Sequence, residues 1–177
     1  MALSDDPEVR RRQLAAIYAS GGFGFGGHGR HKPRLGFSGG IKNFAGGVST
    51  GAVVGATSTV FPQAATVYSI YKGAKIVKDL YDRYSDSPKN RNREILDKIC
   101  SETAGYGAEK ISENVSSGIS SEVRSSAENS GIINAMAISI GVSSTVLGNI
   151  LEKSINDGLI EGAGNFTSYA IEGIMSW

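Results

Sequence analysis

The 177-residue chain has one cysteine, Cys100. That count excludes a disulfide framework and any cysteine-based zinc site. Histidine is almost as scarce, with only His28 and His31. Imidazole chemistry would have to come from that pair, and two ligands on a glycine-rich loop make a weak metal site. Proline occurs four times. Acid is missing from a long stretch: no Asp or Glu lies from residue 9 to residue 78, a window holding ten Lys or Arg. The formal net charge of +1 hides this segregation. Residues 44–71 and 130–151 carry no charge at all, and residues 152–177 carry one Lys and four acids. A basic, acid-free half points to an anionic partner, a membrane surface or a nucleic acid.

Catalytic signals are missing too. Ser38 and Ser49 match the letters of G-x-S-x-G, but no strand pattern precedes either serine to make a nucleophile elbow. Cys100 lies beside Ile99 with no histidine nearby, and reads as a small buried hydrophobe. Gly24-x-Gly26-x-x-Gly29 matches the letters of a dinucleotide fingerprint. That motif needs an acid about 20 residues on for the ribose, whereas the next acid is Asp79. Glu109 and Glu113 read as a solvated surface beside Lys110. The expectation is a protein that is not an enzyme and uses no cofactor or metal.

Glycine is what the chain has in plenty, 24 residues, about twice the usual share. Nearly half of residues 21–40 are glycine, interleaved with Phe23, Phe25, Phe37, Arg30, Lys32 and Arg34. Such a stretch cannot offset its backbone entropy by burial. Residues 1–40 therefore read as a flexible basic arm, with a short helix over 7–20. An Arg/Gly arm of this kind also suits single-stranded RNA. Early acids at Asp5, Asp6 and Glu8 and the short apolar run over 14–19 do not fit a secretory signal.

Beyond residue 40 the hydrophobic spacing is helical throughout, and an all-α domain is expected over 41–177. Gly47, Gly51 and Gly55 recur every four residues, a stripe that lets helices approach closely in the manner of a glycine zipper. Pro62 suits the first turn of a new helix, so 41–84 reads as a helical hairpin. Its second arm places Val67, Tyr71, Ala74, Val77, Tyr81 and Tyr84 on one face and Lys72, Lys75, Asp79 and Asp82 on the other. In that hairpin the glycine stripe faces Ala64, Ala65 and Val67. Amphipathic helices follow over 91–128, with Ile95, Leu96 and Ile99, a break at Gly105 and Gly107, then Ile111, Val115, Ile119 and Val123. Apolar helices follow over 131–176, in two pieces, 131–153 and 158–176. In the first, Ala137, Gly141 and Thr145 repeat the small-residue spacing.

Both uncharged stretches are long enough to meet a bilayer. The first is flanked by Arg30, Lys32, Arg34 and Lys42 before it and by Lys72, Lys75 and Lys78 after it. A re-entrant hairpin puts both basic flanks on one anionic face. The sequence therefore predicts a membrane-associated protein that docks on anionic lipid and associates through small-residue faces, as a toxin-like or effector-like pore former or a membrane scaffold. Its expected partners are anionic lipid and either further copies of the chain or partner helices. The alternatives are a soluble structural subunit of a virion or other large assembly, and an RNA-binding arm on a helical domain.

Overall fold

A computed structural model describes residues 37–86 and 90–175. The helix expected over 7–20, the glycine-rich arm, and Arg30, Lys32 and Arg34 lie outside the described residues. Five helices follow: α1 (Phe37–Val60), α2 (Gln63–Asp86), α3 (Arg91–Asn129), α4 (Ile132–Ile140) and α5 (Ser144–Met175). The described residues contain no strand.

Each boundary has a local cause. Pro62 lacks an N–H and sits just ahead of α2, where a helix leaves that group unpaired anyway. The Phe61 N–H closes α1 on the Thr57 carbonyl at 2.8 Å, and the Ala64 N–H opens α2 on the Phe61 carbonyl at 2.9 Å. Gly141 stops α4 in the left-handed region, φ 73°, which glycine enters without a Cβ clash. The Val142 N–H bonds back to the Ala137 carbonyl at 3.1 Å. The Ser143 hydroxyl then accepts the Val146 N–H at 3.2 Å, capping α5. The apolar run over 131–153 is therefore not one helix: α4 and α5 are bent by 112°.

Two expected breaks are not there. α3 runs through Gly105 and Gly107 for 39 residues, about 58 Å. Gly105 weakens the helix intrinsically by about 1 kcal/mol, but it is buried where a Cβ would stand 3.0 Å from the Gly164 carbonyl oxygen. Close packing there replaces the lost propensity. α5 likewise continues unbroken past residues 154–157.

α5 is the spine. α1 and α3 both run antiparallel along it and do not approach each other to within 8 Å between Cα atoms. Gly47, Gly51 and Gly55 stand against Glu161, Asp157 and Lys153 in turn. Gly105 stands against Gly164, and Arg124 against Asn149 and Glu152. α2 runs parallel to α5, as the constant offset of Lys72–Glu161 and Arg83–Glu172 shows. No Cα of α2 comes within 8 Å of α5, so long charged side chains bridge the gap.

The sides of the helices are the main correction to the sequence reading. An amphipathic helix ordinarily turns its apolar face inward. Instead Val67, Tyr71, Val77, Tyr81 and Tyr84 of α2 are exposed, with Val77 at 67%. On α3, Leu96, Ile99, Ile111, Val115, Ile119 and Val123 are exposed, with Ile111 at 79%. The residues buried in α3 are Lys98, Ser101, Gly105, Ser116 and Ser120. Among the described residues the only fully buried apolar side chains are Ile133 and Ala137. Helices that touch along glycine and serine leave no room between them for a branched side chain, so the branched side chains turn outward.

Candidate functional site

The α1–α5 seam is built of glycines on both sides. A Cβ on Gly47 would stand 2.6 Å from the Glu161 carbonyl oxygen, and one on Gly55 2.6 Å from that of Lys153. On Gly51 it would overlap the Asp157 carbonyl. From the other side, a Cβ on Gly158 would lie 2.9 Å from the Val48 carbonyl oxygen, and one on Gly162 2.7 Å from a Val48 methyl. Contacts under 3 Å to backbone cannot be relieved by rotating a side chain, so a methyl group at Gly47, Gly51, Gly55 or Gly158 forces the helices apart.

The stripe therefore meets α5, not the Ala64, Ala65 and Val67 side of α2. Ala137 and Gly141 are joined by the capping bond from the Gly141 N–H to the Ala137 carbonyl, but with Thr145 they do not line one helix face. Ala137 is buried on α4, Gly141 is the turn after it with open space around its Cα, and Thr145 is exposed in the first turn of α5. The bend at Gly141 puts them on different elements. Sequence reasoning missed the partners in α5, although Gly158-x-x-x-Gly162 repeats the spacing of four. It also missed Ser116 and Ser120, four apart and buried on α3. A serine hydroxyl is easily buried on a helix because it can bond to its own preceding turn, as Ser120 does to the Ser117 carbonyl at 3.0 Å.

A charged cluster joins α2, α3 and α5. Lys72 Nζ donates to Glu109 Oε1 at 2.5 Å and to Glu161 Oε2 at 3.0 Å. The Tyr68 hydroxyl donates to Glu161 Oε1 at 3.0 Å. Burial alone would lower the pKa of the Lys72 ammonium, but the bond to Glu109 and the charge of Glu161 outweigh it and hold the proton above the usual lysine range. Burial, then the neighbouring Glu161, pushes the Tyr68 hydroxyl above its ordinary value. Lys72 is thus engaged inside the bundle and is not a free docking charge. Glu109 is turned inward too, in place of the solvated surface position expected for it.

Further pairs fasten the same helices. Lys98 reaches Glu102 at 2.6 Å and Asp79 at 3.5 Å. Arg83 meets Glu172. Arg124 holds Glu128 and Glu152, each at 2.8 Å. Lys42, Lys75 and Lys78 are exposed, and Cys100 is partly exposed. Among the described residues no three His, Cys, Asp or Glu side chains are grouped to hold a metal ion.

The arrangement is one of helix association: a close glycine seam, a charged layer under α2, and apolar stripes facing out. Comparison with protein-family models, curated proteins and solved structures found no match.

Proposed function

We propose that the chain is a membrane-active helical protein, a pore-former-like effector or a membrane scaffold, that docks on anionic lipid and associates through small-residue helix faces. The observation that supports this is the inversion of sides. Water drives branched apolar side chains inward. Lipid does not, and helices in lipid pack on glycine, alanine, serine and threonine with their apolar residues outside. No single described helix is long and apolar enough to cross a bilayer, so the reading is entry into the membrane surface without a straight span. Docking falls to Arg30, Lys32 and Arg34 of the arm and to Lys42, Lys75 and Lys78, without Lys72.

A second reading has its own support. Glu122 is exposed on the same face of α3 as Ile111, Val115 and Ile119, as suits a soluble subunit whose partners cover the stripe piece by piece. Vesicle flotation separates the readings. The membrane reading expects the full chain to float with anionic vesicles, less so at high salt. Changing Lys42, Lys75 and Lys78 to Gln weakens binding about a hundredfold, at roughly 1 kcal/mol for each base near an anionic surface. A chain that stays down as a defined oligomer supports the assembly subunit. Sedimentation lost on nuclease treatment supports RNA binding by the arm.

A further inference from the structure

The antiparallel registers bring together two segments that are far apart in sequence. Gly55 beside Lys153 places the α1–α2 turn against the first part of α5. Arg124 beside Asn149 and Glu152, and Glu128 beside Gly148, place the end of α3 at the same level. The α1–α2 turn, α4 and the turn over 141–143 therefore share one end of the bundle. These are the middle of the uncharged stretch 44–71 and most of the uncharged stretch 130–151.

That end is rich in exposed apolar side chains. Val60, Phe61, Ile132, Met136, Ile138 and Ile140 are all exposed there, Phe61 at 63% and Ile138 at 82%. By length and composition, α4 with α5 is apolar enough for a broken or re-entrant membrane segment. The opposite end holds the ion pairs Arg83–Glu172 and Lys98–Asp79. From the apolar end, the first charge on α2 is Lys72 and on α5 is Glu152. Those uncharged lengths, residues 63–71 and 144–151, are about 12–13 Å. One leaflet of hydrocarbon is about 15 Å, half of a core of about 30 Å. On α3 the charges come closer to the end, where Arg124 pairs with both Glu128 and Glu152, and α4 is bent by 112° from α5.

We infer that the bundle enters a bilayer end-on, with the Phe61–Pro62 turn and α4 leading into the hydrocarbon of one leaflet and the charged end left in water. This rests on the membrane reading above and adds an orientation and a depth to it. It also separates two roles: basic side chains find the anionic surface, while this end, whose nearest charges are Arg124 and the two glutamates it holds, supplies the apolar contact.

The test uses the full chain in a Cys100→Ser background. Single cysteines replacing Phe61, Ile138, Val77 or Ile111 are labelled with a polarity-sensitive fluorophore, and anionic vesicles carry bromine at defined depths in their acyl chains. Phe61 and Ile138 are expected to shift to the blue and to be quenched most by deep bromines, with Val77 and Ile111 shallower. A Phe61→Ser/Ile138→Ser variant is expected to lose vesicle binding several-fold more than a Val77→Ser/Ile111→Ser variant; all four side chains are exposed, so the fold is spared. Binding with Val77 or Ile111 as deep as Phe61 means that the bundle lies flat, and overturns the inference while sparing the membrane reading. Protection of Phe61 and Ile138 without lipid, in an oligomer, also overturns it. No vesicle binding by any labelled chain overturns both.

Discussion

At Gly51 a methyl group would overlap the Asp157 carbonyl of α5, whereas around Gly46 nothing lies within 4 Å of where a Cβ would sit. The two glycines share one helix, so replacing each with alanine separates packing from propensity. Gly51→Ala is expected to cost roughly 1–3 kcal/mol, as overpacking does. Gly46→Ala is expected to be neutral or to add up to about 1 kcal/mol, the helix preference of alanine over glycine. Thermal unfolding of the two variants checks this, and equal effects would remove the seam from the explanation of stability.

Lys72 and Tyr68 both keep their protons to higher pH in the folded chain than in the unfolded one. The stability they contribute is therefore full below the ordinary values of 10.5 and 10.0 and is lost as pH rises through the folded values. Denaturant unfolding at about pH 8 and about pH 11 is expected to show a fall at the higher pH. Lys72→Met is expected to lower stability near neutrality, because Glu109 and Glu161 lose the cation between them. It should also flatten the alkaline fall. An unchanged alkaline slope in the variant would show that the cluster does not carry it.

Among the elements, α2 is held differently from the rest. It has no buried residue, and charged and tyrosine side chains tie it to α3 and α5. Elements with little buried contact open first, and 1 M salt shortens the range of charge interactions to about 3 Å. Amide exchange is expected to be fastest in α2 and slowest in α5, with α2 accelerated by salt. Uniform exchange across the two helices would contradict a charge-held α2.

The helical period of α2 was legible in its i, i+3/i+4 spacing, and so was the turn at Pro62. Which face points inward was not. Reading the apolar face as the buried one presumes a core of branched side chains, and here glycine and serine take the contact positions. The stripe at Gly47, Gly51 and Gly55 was legible as a close-approach surface, but the helix that fills it was not, because α5 lies about 100 residues away and register is a tertiary property. Gly105 and Gly141 show the limit of reading single glycines. One stays helical because it packs on Gly164, and the other stops a helix because its φ turns positive. The one local difference is Ser143, a capping residue two positions after Gly141.

On the scale of the whole molecule, the two uncharged segments meet only because α1 and α3 both run antiparallel to α5. Charge segregation along the chain thereby becomes a gradient along the bundle, with Arg83–Glu172 and Lys98–Asp79 at one end and Phe61, Ile138 and Ile140 exposed at the other, where Arg124 and its two glutamates are the nearest charges. Under the membrane reading, lipid rather than protein covers the outward apolar surface. The most direct measurement is the mass of detergent carried by the purified full chain, from light scattering combined with absorbance and refractive index. The membrane reading predicts a protein that needs detergent to stay dispersed and carries a bound belt of it. A chain that remains monodisperse in plain buffer and binds no detergent would contradict that claim.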